Sequence, residues 1–91
     1  MPRYMIERTF PNGLALSPNA EGKKVAETVI AANADHGVTW VHSYVSLDKK
    51  KTYCLYEAPN AEAIRIAARR ANVPADVIIE IGGELRPDMF A

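Results

Sequence analysis

The chain has 91 residues, 48% of them hydrophobic and 8% aromatic, and its 11 Lys plus Arg are balanced by 11 Asp plus Glu. That length is read as one domain spanning residues 1–91, and the zero formal net charge provides no long-range field to draw in a nucleic-acid backbone or an anionic membrane. The one cysteine, Cys54, cannot form an internal disulfide, and neither a signal-peptide pattern nor a transmembrane apolar run is seen, so the expected location is cytoplasmic.

In chain order, "RYMIERTF" (Arg3 to Phe10) alternates as a strand, with Tyr4, Ile6 and Phe10 on one side and Met5, Glu7 and Thr9 on the other. "PNG" (Pro11 to Gly13) ends it. Ser17-Pro18 offers an N-cap followed by proline at the first helical position, where the missing N–H does no harm. The helix so begun carries Val25, Ala26, Val29, Ile30 and Ala32 on one stripe, has a weak point at Gly22, and stops at Gly37.

From Val38 to Leu47 a second strand alternates Val41, Ser43, Val45 and Leu47 with Trp40, His42 and Tyr44. The turn "SLDKK" has no glycine, and Asp48-Lys49 forms its tip. Which side of the returning strand "TYCLYE" faces inward depends on the parity of that loop, because a one-residue slip reverses every side chain. An odd-numbered loop gathers the aliphatic residues and is the expected one. It places Tyr53 and Leu55 with Val41 and Val45, and Cys54 and Tyr56 with Trp40 and His42. Asn60 then caps a second helix, on which Ile64, Ala67, Ala68 and Ala71 recur at helical spacing; Pro74 closes it, and Val77 to Ile81 is the last strand.

The order β-α-β-β-α-β predicts an α+β, ferredoxin-like fold, a four-stranded antiparallel sheet with two helices on one face. Val25, Val29, Ile64, Ala67, Val41, Leu55 and Ile79 are the expected core. The other face is expected to present Met5, Glu7, Trp40, His42, Tyr44, Cys54, Tyr56, Ile78 and Glu80, a surface too apolar to be left in water. A homodimer through that face is the expected consequence. The short C-terminal tail "GGELRPDMFA" offers Met89 and Phe90 as groups to tuck over the same face or over a neighbouring subunit.

The segments "ERTFP" (Glu7 to Pro11), "WVHSYVS" (Trp40 to Ser46), "YCLYEAP" (Tyr53 to Pro59), "EAIRIAARRANVP" (Glu62 to Pro74) and "LRPDMF" (Leu85 to Phe90) together resemble a family of short bacterial proteins grouped as a domain of unknown function. One member of that family is a nickel-binding, dimeric protein of ferredoxin-like fold. The resemblance implies that fold, a dimer and a nickel ion. The sequence departs from the family at the hairpin turn, where Lys49 or Lys50 stands in place of a glycine, and at Asp88-Met89, where an aromatic-rich ending is the pattern.

A divalent transition ion takes imidazole, thiolate and carboxylate donors converging from more than one element. His42, Cys54 and Glu7 are the candidate metal ligands on the expected outer face, although the strong H-x-x-x-H and C-x-x-C spacings are missing. The competing readings are a structural imidazole at His42, a buried inert thiol at Cys54, and a helix C-terminal cation at His36. Trp40, Tyr44 and Tyr56 are read either as interface aromatics or as a platform for a small molecule. Lys49-Lys50-Lys51 is a solvated loop tip. No catalytic residue is identified. Besides a metal-binding dimer, the sequence leaves two alternatives: a cofactor-free dimeric barrel enzyme of oxygenase or isomerase type, on fold analogy alone, and a structural interaction module.

Overall fold

Alternation, caps and breakers set the elements. The computed structural model describes residues 1–14 and 20–90, with the backbone alone at positions 20 and 21. The elements are β1 (Arg3–Thr9), α1 (Ala20–Asp35), β2 (Thr39–Val45), β3 (Lys51–Glu57), α2 (Ala61–Ala71), β4 (Val77–Ile81) and a closing 3₁₀ turn (Pro87–Phe90). The expected cap at Ser17-Pro18 lies outside the described residues. The four strands form one antiparallel sheet in the order β2-β3-β1-β4, the ferredoxin-like arrangement predicted.

Helix ends follow backbone chemistry. α1 stops at Gly37, whose positive φ of 69° lets Val38 N–H reach back to the Asn33 carbonyl at 2.8 Å and Gly37 N–H to that of Ala34. α2 opens on Asn60, whose side chain accepts from Ala63 N–H at 2.8 Å, and closes on Asn72 in the left-handed region. Its inward stripe is Ile64, Ala67 and Ala68, all buried. Glu62 in the first turn and Arg69 and Arg70 in the last complement the helix dipole.

Which side of β3 faces the helices departs from expectation. The hairpin loop is even-numbered, running from Leu47 to Lys50 between the paired Ser46 and Lys51. Asp48 builds it: its carboxylate accepts from Ser46 Oγ at 2.7 Å and from Lys50 N–H at 3.0 Å, and Lys49 takes the left-handed backbone, φ 61°. Cys54 and Tyr56 therefore lie on the helix side, opposite Ile6 and Tyr4, while Tyr53 and Leu55 lie on the outer side. A bulge at Val41 then returns Trp40 to the helix side with Ser43 and Val45, leaving Val41 exposed. The bulge turns a partly buried indole toward the core in place of a valine, and the indole N–H donates to Ser43 Oγ at 2.8 Å.

The core consequently consists of Tyr4, Ile6, Val38, Cys54, Tyr56, Ala58, Ile64 and Ala67, with Trp40 and Ile78 packed against it. Of the expected core, Ile64 and Ala67 are buried, whereas Ile79 is 57% exposed and Val25 51%. β4 pairs Ile78 with Ile6 and Glu80 with Tyr4, which puts both on the helix side and Ile79 outside. α1 packs chiefly against α2 and meets the sheet mainly at β2. Its most buried positions recur as Gly22 and Asn33, with Ala26 and Val29 partly buried between them, in place of the expected aliphatic stripe. Met89 and Phe90 remain exposed in the described chain.

Three outcomes test this packing. Ile64→Ala, at a position 1% exposed, is expected to lower unfolding free energy by about 2–5 kcal/mol; a loss below half the lower figure shows that another face of α2 is buried. A left-handed backbone costs a residue with a side chain about 1–2 kcal/mol, partly offset by the roughly 0.5–1 kcal/mol of extra unfolded-state freedom of glycine. Lys49→Gly is therefore expected to raise stability by about 0.5–1 kcal/mol in urea titrations, and a destabilised variant contradicts the turn geometry. The third outcome concerns pH. Hydrogen bonds from Ser46 and the Lys50 amide hold the Asp48 carboxyl below its ordinary value of 3.8, so the ionised group stabilises the fold above that value and the contribution fades as pH falls through the depressed folded value. The stability gap between wild type and Asp48→Ala is expected to be full at neutral pH and to close in acid; a gap that widens on acidification contradicts it.

Candidate functional site

The sheet divides the candidate residues between its two sides, and the division follows from strand register. On the outer face, His42 stands opposite Leu55, which stands opposite Met5, and Tyr44 stands opposite Tyr53, which stands opposite Glu7. β4 completes that face with Val77 and Ile79 beside Glu7 and Met5, and Ile81 beside Arg3. It is thus a surface of aliphatic groups carrying one imidazole and two phenols, with the charges of Arg3, Glu7, Lys51 and Glu57 on the same side.

His42 is exposed, its ring edge-on to Tyr44 with centroids 5.3 Å apart. Neither ring nitrogen has a hydrogen-bond partner among the described residues, unlike His36, whose Nδ1 lies 3.0 Å from the Ala32 carbonyl at the end of α1. Glu7 lies on the same face as His42 but on β1, with β3 between them, a separation of about 10 Å from two strand spacings alone. Its carboxylate is already paired with Lys51 Nζ at 3.7 Å.

Cys54 does not join them. It pairs across β3 and β2 with Ser43 rather than His42, is buried on the helix side, and donates its S–H to Thr52 Oγ1 at 3.6 Å. The expected sharing of one face by His42, Glu7 and Cys54 is therefore not realised, because the even hairpin loop reverses β3. Among the described residues no group of three or more His, Cys, Asp or Glu side chains is placed to hold a metal ion. The aromatic trio is divided in the same way: Tyr44 is outside, whereas Trp40 and Tyr56 are cross-strand partners on the helix side.

The helix side holds a charged residue that motif reading passes over. Arg8 continues the inward series of Tyr4 and Ile6 and is only 5% exposed. One of its guanidinium nitrogens donates to Tyr56 Oη at 2.9 Å, another to the Pro74 carbonyl, and its Cζ lies 5.5 Å from the centre of the Tyr56 ring. Strand alternation alone points to it, since an arginine at the third inward position of a strand is a conflict between pattern and chemistry. Nearby, burial first and then the facing Glu80 carboxylate raise the pKa of the Tyr4 phenol, whose hydroxyl donates to Glu80 at 3.4 Å.

A model of the family described as "Nickel responsive protein SCO4226-like" matches residues 4–81. The fold resembles that of the "Crystal structure analysis of SCO4226 from Streptomyces coelicolor A3(2)", with a TM-score of 0.74 at 23% identity over 91% of this chain and 99% of that one. No curated protein matches. No helix among the described residues is long and apolar enough to cross a membrane.

Proposed function

The chain belongs to the SCO4226-like family of nickel responsive proteins, and from that premise we propose that it is a homodimeric nickel-binding protein whose metal donors are assembled from two copies. The observation that carries this reading is the outer face. It exposes Ile79, Val77, Tyr53 and Tyr44, together with the partly exposed Met5, Leu55 and Ile81, and His42 lies within it with both ring nitrogens free of protein partners among the described residues. Apolar groups exposed in this way call for a cover, and a second copy related by a two-fold axis covers them with its own surface.

The outer face of one chain alone does not fit a nickel ion: it brings a single imidazole, and the Glu7 carboxylate is distant from it and tied to Lys51. Two copies bring two imidazoles into one interface, a donor that nickel(II) accepts. Cys54 takes no part in this arrangement, because it faces the helices. Burial of the ion between two sheets makes metal binding and dimerisation support one another.

Calorimetric titration of untagged protein with nickel(II), alongside its mass in solution, tests the proposal. The expected result is a dimer that binds at most one ion per two chains through this pair, and a His42→Ala variant that keeps its fold and loses the binding. Equal affinity in the two proteins, or a wild-type monomer at micromolar concentration, overturns it.

A further inference from the structure

We propose that the cavity between α1 and the helix side of the sheet is a binding site for a small apolar monocarboxylate, with the carboxylate seated on the Arg8 guanidinium. The site is separate from the outer face that carries His42. Its volume is about 460 Å³, within the roughly 300–1,000 Å³ usual for small-molecule pockets. Phe10, Leu14, Val25, Val29, Val45 and Val73 supply its apolar walls. Trp40 and Tyr56 add aromatic surface, and Arg8 brings the only formal charge to the lining among the described residues.

The argument rests on that charge. Buried ionised groups are costly unless an opposite charge and a full set of hydrogen bonds compensate them. Arg8 forms two hydrogen bonds, both to neutral oxygens, and no carboxylate among the described side chains lies within ion-pair distance of it. Its remaining N–H donors have no partner among the described residues. The other polar groups of the lining are engaged with one another: Ser43 Oγ accepts from Trp40 and Thr52 Oγ1 accepts from Cys54.

A purely structural staple between β1 and the Pro74 carbonyl needs only a neutral donor, and beyond the Tyr56 ring the positive charge meets no opposite charge among the described side chains. A carboxylate supplies the missing negative charge and accepts two donors in parallel from the planar guanidinium. The surrounding walls then admit an alkyl or aryl body and exclude strongly hydrated anions such as inorganic phosphate.

The test compares octanoate with octan-1-ol, which has the same chain and no charge, in the presence of a metal chelator so that nickel plays no part. Trp40 is the sole tryptophan and lines the cavity, so its fluorescence reports binding, and calorimetry gives the affinities. Octanoate is expected to bind the wild type at least about tenfold more tightly than octan-1-ol, the scale of a charged hydrogen-bonded pair. Arg8→Met is expected to bring the two ligands to near parity, and Ala26→Phe, which fills the cavity from α1, to abolish binding of both with far-UV circular dichroism unchanged. Octan-1-ol binding the wild type as tightly as octanoate overturns the proposal, as does no binding of either ligand at millimolar concentration. Octanoate affinity unaltered in a folded Ala26→Phe variant overturns it too. The comparison in wild type decides the matter even if a variant fails to fold.

Discussion

The antiparallel register between β1 and β3 is the constraint on which the rest of the molecule depends. Opposite partners in a ladder share a face, so once Tyr4 meets Tyr56, Ile6 meets Cys54 and Arg8 meets Thr52, the inner and outer residues of both central strands are settled together. Ile6 and Ile64 have the largest fully buried side chains, which puts this pairing at the centre of the core. β4 attaches to β1 and β2 to β3, and each inherits its orientation from them. A one-residue slip in the central pair turns one strand over relative to the other, and so brings either Glu7 or His42 and Tyr44 to the helix side in place of core residues.

Element order was legible in the sequence because it rests on strong local signals: Asn60 as a cap, Gly37 as a stop, and the Ile64, Ala67, Ala68 stripe. The faces of β2 and β3 were not, because the decisive information lies in a turn and a bulge. Aliphatic grouping favours an odd loop, but Asp48 organises an even one through its own hydrogen bonds, and Lys49 accepts a left-handed backbone that ordinarily favours glycine. The bulge at Val41 is equally unreadable by alternation, since it exists to place Trp40 rather than to continue a period. Of the candidate site residues, His42, Tyr44 and Glu7 lie on the expected face, and Cys54, Trp40 and Tyr56 lie on the other.

The two faces that result have opposite chemical character. The outer one is broad, with partly exposed aliphatic groups and an imidazole whose nitrogens bond to no described protein group, so its natural complement is another surface. The inner one holds a half-open cavity and a buried cation, so its natural complement is a small molecule with an acid group. Both follow from the same two-residue alternation. In β1 the even positions deliver Tyr4, Ile6 and Arg8 inward, and the odd ones deliver Met5 and Glu7 outward.

The presence of a cavity in so small a core has its cause in α1. Where α2 turns Ile64 and two alanines onto the sheet, α1 turns Gly22, Ala26, Val29 and Asn33 inward, and its larger aliphatics Val25 and Ile30 are each 51% exposed. Small side chains on a helix allow close approach to a neighbouring backbone, but α1 uses that freedom mainly against α2, so the space above β2 and β3 is not filled. Asn33 adds a polar group to the same stripe, buried with its Nδ2 lacking an acceptor among the described residues. A sequence selected only for a packed core has a simple remedy, larger apolar side chains at positions 26 and 33, since filling such a void recovers both transfer and dispersion energy. Small residues over the space and an arginine within it that meets no carboxylate among the described side chains are two independent departures from good packing. They meet in one cavity, which is where stability is expected to yield to binding.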